Sequence, residues 1–242
     1  MASTAKYGHV INVSNFHKLI KYVIEYAEHY NPASTHLMPE QLHILASKAQ
    51  QQLAEVIVKN TAHQNAINER KQAHKELELL FNRIINCFYL TEASAEKIAD
   101  AIVLQRKMLG KKTQSGKTKN DPVTGLPKKF KSQQSYHHQL QHLANLIALL
   151  QSEPSYDVFE NDLKLSTILA FQKSLIQKNT NVTLTYTELS NARIARNEIL
   201  YAPDTGLIYR AAMVKKYIQA LYGFTSPQYA QVRGIYFMKE KK

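Results

Sequence analysis

The chain has no tryptophan, one cysteine (Cys87), and only seven glycines and seven prolines in 242 residues. A lone cysteine excludes an intrachain disulfide framework. Stability must then come from a packed core, and 44% apolar residues over this length suffice to build one. No apolar run approaches the roughly 20 residues needed to cross a bilayer. Met1 to Gly8 lacks the apolar stretch of a signal peptide, and Val10 to Val13 is too short to supply it, so a cytoplasmic location and no membrane are expected.

The most informative absence is local. From Glu40 to Leu109 there is neither glycine nor proline, and the same holds from Ser155 to Ala202. Both residues are poor in helix interiors, so these stretches predict long helices and an all-α fold. Pro39 suits the first turn of the first long helix. Positions 42, 46, 49, 53, 56, 60, 63, 67, 70, 74, 77, 81, 84 and 88 alternate steps of four and three. They are apolar at both ends and polar in the middle, at Asn60, His63, Arg70 and His74. The second run, expected as a helix from about Phe159 to Tyr201, gives a similar seam through Leu165, Ile168, Gln172, Leu175, Asn179, Val182, Tyr186, Leu189, Arg193, Arg196 and Leu200. Asn60 aligns with Asn179 at an offset of 119, and residues 68–70 align with 191–193 at an offset of 123. The four-residue difference is about one helical turn, which suggests an internal repeat.

The remaining elements complete two halves. A helix from Ser14 or Asn15 runs through Phe16, Leu19, Ile20, Val23 and Ile24 and stops at Asn31-Pro32. A third spans about Ala93 to Leu109, with Gly110 closing it. Ser135-Tyr136 opens a fourth, through Leu140, Leu143, Ile147 and Leu150, and a sixth spans about Leu207 to Leu221. Residues 9–13 and 235–238 look extended. They are expected to pair as a small β-ribbon, or the tail to dock on a neighbouring subunit. The expected architecture is a six-helix bundle of two related three-helix halves, 1–109 and 133–242. A Gly/Pro/Lys linker, 110–132, joins them, and short extended segments end the chain.

The net charge is +12, and half of it lies in that linker, where seven lysines face Asp121 alone. Lys111, Lys112, Lys117, Lys119, Lys128, Lys129 and Lys131 form a candidate polyanion contact, and so does the basic tail with Arg233. A solvated linker kept soluble by lysine is the competing reading. Six of the 14 tyrosines fall between Tyr201 and Tyr236, among Arg210, Lys215, Lys216 and Arg233. Tyrosine beside a cation suits nucleic acid, while the spacing of Tyr209, Met213, Tyr217 and Leu221 suits packing.

Sites with a recognisable chemistry are few. Gly116-Lys117-Thr118 lacks the glycine that a phosphate loop requires five residues earlier, where Lys111 stands, and a helix precedes it instead of a strand. A di-metal bundle needs Glu-x-x-His on two helices. Glu40-x-x-His43 matches once, and no histidine follows His142. His138 and His142 share a helical face without an evident third ligand, so they read as surface residues, and Cys87 reads as a packed thiol. No catalytic residue, metal or cofactor is assigned. Asn60, Arg70, Asn179, Arg193 and Arg196 form a candidate buried polar network, because a charge facing a core requires a partner. Glu69, Glu188 and Glu198 are the nearby acids.

The run 189–197 (Leu-Ser-Asn-Ala-Arg-Ile-Ala-Arg-Asn) is followed by Leu200-Tyr201, Thr205-Gly206-Leu207, Val214-Lys215-Lys216-Tyr217, Tyr222-Gly223 and Ser226-Pro227-Gln228-Tyr229. These residues resemble a family of uncharacterised bacterial all-helical proteins of similar length, with two tandem three-helix halves and a lysine-rich linker. The first half departs from it, with Asn68-Glu69-Arg70 where the family tends to have Asn-Ala-Arg. The resemblance implies the fold and implies no activity. Two functions are expected from different classes. One is a non-enzymatic protein binding nucleic acid or another polyanion through the linker and tail. The other is a structural module that homo-oligomerises through helical faces or exchanged termini.

Overall fold

The computed structural model describes residues 4–110 and 135–239, with side chains from residue 8 onward. Every regular element among these residues is helical. The α-helices are α1 (Thr4–Glu25), α2 (Pro39–Tyr89), α3 (Ala95–Met108), α4 (Tyr136–Gln151), α5 (Leu165–Tyr201), α6 (Leu207–Tyr222) and α7 (Pro227–Arg233). Two 3-10 turns, Ala27–His29 and Thr35–Leu37, connect α1 to α2. None of these helices is long and apolar enough to cross a membrane.

The described residues hold seven α-helices rather than six. The added one, α7, precedes the stretch expected to be extended and carries a start signal that the six-helix expectation leaves out. Ser226 caps it by accepting a hydrogen bond from the Tyr229 amide at 3.1 Å, and Pro227 occupies its first turn. The N-terminus also departs from expectation, since residues 9–13 are helical and there is no β-ribbon. Asn12, Val13, Phe16, Leu19, Ile20 and Val23 are buried on one stripe, which outweighs the strand preference of Val10 and Ile11, both of them exposed. Helix α5 starts at Leu165, six residues later than expected.

Two compact units divide the described residues. Those up to His63 and from Thr185 form one, and those from Gln64 to Leu184 form the other. Unit 1 contains α1, α6 and α7, the first part of α2 and the last part of α5. Unit 2 contains α3 and α4 with the remainder of both long helices. Each unit therefore draws on both halves of the sequence. The first core gathers Phe16, Leu19, Ile20, Leu42, Leu200, Val214 and Ile218, among others, and the second gathers Leu77, Phe81, Ile84, Phe88, Leu143 and Leu146. The α2 seam is buried from Leu42 to Ala49 and again from His74 to Phe88, and it is half-buried between. On the α5 seam Ile168, Leu175, Val182 and Leu189 are buried, Tyr186 is exposed against expectation, and burial then passes to Ala192, leaving Arg193 exposed.

One device recurs. The Tyr30 hydroxyl donates to the Leu37 carbonyl at 2.9 Å in unit 1, and the Tyr156 hydroxyl donates to the Leu163 carbonyl at 2.9 Å in unit 2. Each bond closes the loop that leads into a long helix, and burial pushes both phenols up, Tyr156 to about 12.

Candidate nucleic-acid interface

Of the residues assigned to polyanion contact, Lys111, Lys112, Lys117, Lys119, Lys128, Lys129 and Lys131 lie outside the described residues. Arg233 is described. It ends α7 with an exposed side chain, and the chain then runs as irregular backbone along unit 1.

That segment is held by side chains gripping its main chain. Asn12, 0% exposed on α1, donates through Nδ2 to the Met238 carbonyl at 2.9 Å. Its Oδ1 accepts from the Met238 amide at 2.8 Å, so one side chain bonds both backbone groups of a single residue. Asn15, one helical turn on, donates to the Tyr236 carbonyl at 2.6 Å. From α6, Lys215 Nζ donates to the Ile235 carbonyl and, at 3.4 Å, to that of Arg233. The same ammonium lies 5.4 Å from the Phe237 ring centroid, and burial lowers its pKa. Gly8 makes room for Met238, since a Cβ there would stand 3.2 Å from the sulfur. An open cleft of about 390 Å³ remains between α6 and the segment, lined by Ile208, Lys215, Arg233, Gly234, Tyr236 and Phe237 among others.

Charge is one-sided along the stretches of sequence that carry this segment and the helices gripping it. The sequence has no acid before Glu25 and none between Thr205 and Lys239. Those stretches supply Lys6, Lys18, Lys21, Arg210, Lys215, Lys216, Arg233 and Lys239, and α1 packs against α6. The ion pairs among the described residues all involve other positions. Lys59 meets Glu55 and Glu188, Arg83 meets Asp162, Lys97 meets Glu153, and Lys178 meets Glu69.

Most of the tyrosines near the tail are packing residues. Tyr217 lies edge-on to Tyr30 at 5.1 Å and Tyr222 to Tyr26 at 5.4 Å. Tyr201 bonds to His9 Nδ1 at 2.6 Å. Tyr236 differs, 71% exposed on a backbone fixed from both sides.

The five residues assigned to a buried polar network are only partly brought together. Arg70 and Asn179 meet in unit 2 around a residue outside the assigned set, His74, which is 2% exposed. His74 Nδ1 donates to Gln139 Oε1 at 2.6 Å, Tyr136 packs on its ring at 4.4 Å, and the Arg70 guanidinium lies 4.4 Å from the same Tyr136 ring. Burial lowers the His74 pKa, the Gln139 and Asn179 amides oppose that shift, and the nearby Arg70 charge adds to it. In unit 1, Asn60 is half-buried, Arg193 is exposed, and Arg196 donates twice to Asn197 Oδ1, at 3.0 and 2.7 Å. Glu69 and Glu188 are taken by Lys178 and Lys59.

His142 is buried, unlike His138, so the expectation of two surface histidines is corrected. Cys87 is half-buried, and burial pushes its thiol up, which suits a packing residue. Among the described residues no group of three His, Cys, Asp or Glu side chains is placed to hold a metal. Sequence reasoning missed the hold of Asn12, Asn15 and Lys215 on the C-terminal segment. Asn12 was in reach, because it continues the Phe16-Leu19-Val23 stripe one turn toward the N-terminus. The chain matches no family model, no curated protein and no solved structure.

Proposed function

We propose that this chain is a non-enzymatic cytoplasmic protein that binds nucleic acid or a similar polyanion through its linker and the α1/α6/tail region of unit 1. The observation that carries this reading is the pairing of two acid-free stretches in one unit, residues 1–24 and 205–239. Lys18, Lys21, Arg210, Lys215, Lys216, Arg233 and Lys239 form none of the ion pairs among the described residues, and the linker adds seven lysines to the charge of the chain. A field of one sign attracts polyanions, and each phosphate neutralised releases counterions. Affinity for DNA or RNA should therefore fall steeply with salt. Replacing the seven linker lysines by glutamine should abolish retention on a nucleic-acid column, and unchanged retention would refute this reading. Protein isolated from its own cells should carry nucleic acid, seen as a 260/280 nm absorbance ratio that nuclease treatment lowers.

A second reading has one observation in its favour. Leu169, Ile176 and Leu184 are exposed along one side of α5 in unit 2, a pattern that suits self-association. It predicts a defined oligomer that survives high salt, measured by light scattering, and a salt-independent monomer would dismiss it.

A further inference from the structure

We propose that the cleft between α6 and the C-terminal segment is a subsite for single-stranded nucleic acid, with a base stacked on Tyr236 and its phosphate at Arg233. This deepens the polyanion reading and rests on it. Three independent features of the cleft point the same way.

The first is presentation. Tyr236 exposes most of its ring, yet its backbone is clamped through the carbonyls of residues 235, 236 and 238 and the amide of 238. An exposed aromatic on a fixed main chain loses little freedom when a base stacks on it, and every base offers a π face. A duplex keeps its bases paired and stacked, so a single strand suits this ring. The second is charge. Arg233 lines the same cleft, three residues before Tyr236, with its guanidinium exposed and no acid in the surrounding sequence. Lys215 adds positive potential from the floor, while its Nζ stays bonded to the segment's carbonyls. The third is space. Gly234 stands between Arg233 and Tyr236 in the helical region, with φ −77°, where any residue fits. A Cβ built there would meet no atom within 4 Å. The fold therefore does not demand glycine at this place, and a bare backbone admits the close approach of a sugar-phosphate chain.

The test uses the full chain, a labelled oligothymidylate and a duplex of equal length, with fluorescence anisotropy at fixed salt. The wild type should bind the single strand more tightly. Tyr236→Ala should weaken single-strand binding about tenfold and leave duplex binding unchanged, while Tyr236→Phe should retain wild-type affinity. Arg233→Gln should weaken both and reduce the salt slope by about one. Gly234→Leu should weaken single-strand binding by filling the cleft, with helicity unchanged by circular dichroism. If the wild type binds both probes and neither Tyr236→Ala nor Gly234→Leu alters single-strand affinity, the subsite is refuted while the polyanion reading stands. A preference for duplex or for polyglutamate also overturns it, and binding to no polyanion overturns both readings.

Discussion

The two units solve one folding problem with the same parts and then use their polar residues in opposite ways. Each packs a short helix against pieces of both long helices, and each closes the entry loop with a tyrosine hydroxyl on a leucine carbonyl, Tyr30 to Leu37 and Tyr156 to Leu163. In unit 2 the buried His74 bonds to the side chain of the buried Gln139, and the unit holds three cross-element ion pairs against one, Lys59 with Glu188, in unit 1. In unit 1 the buried polar side chain on the short helix, Asn12, bonds to the backbone of the tail, and the tail carries an exposed tyrosine and arginine to solvent. A polar residue inside a core must find a partner. Where the partner is a side chain the result is an internal strut, and where it is a peptide group the result is a mounted segment.

The largest effects that could break this comparison are in the cores. Phe16→Ala in unit 1 and Phe81→Ala in unit 2 remove side chains that are fully buried, and each should cost about 3–5 kcal/mol. Hydrogen exchange should show the loss first in the amides of the unit that carries the substitution, and equal loss in both units for either variant would erase the distinction.

Asn12→Ala should come next, at about 1–3 kcal/mol, because it leaves the Met238 N–H and C=O without the side chain that bonds both. The Met238 amide should lose exchange protection while amides of Phe81 to Phe88 keep theirs. Gln139→Leu is the counterpart in unit 2, of similar size, and should leave the tail undisturbed.

The titration of His74 sharpens the contrast further. Its folded pKa lies below the ordinary 6.5, so the unfolded chain binds the proton more readily. Stability should fall as pH drops from about 6.5 toward the depressed folded value, and His74→Gln should flatten that slope in a series of urea melts. The Tyr156 phenol acts in the other direction. Its raised pKa keeps the folded state protonated, so stability should fall as pH rises from about 10 to about 12. Tyr156→Phe should remove that contribution at a cost of about 1 kcal/mol at neutral pH.

The smallest effect is expected at the surface of unit 2. Arg83→Ala breaks an exposed pair with Asp162 and should cost less than about 1 kcal/mol.

The sequence by itself determined the helical class, the start of α2 at Pro39, the Ser135 cap of α4 and the α2 seam with its polar middle. These are local properties, set by helix propensity, capping chemistry and a period of 3.6 residues, and each can be read within a few turns of chain. Only the tertiary structure decided which parts of the two long helices share a core, that residues 9–13 extend a helix, and that Asn12 and Lys215 grip a tail more than 200 and about 20 residues away respectively. Those outcomes depend on which surfaces meet, and a buried asparagine or a half-buried lysine reads in sequence as an ordinary polar residue until its partner is in place.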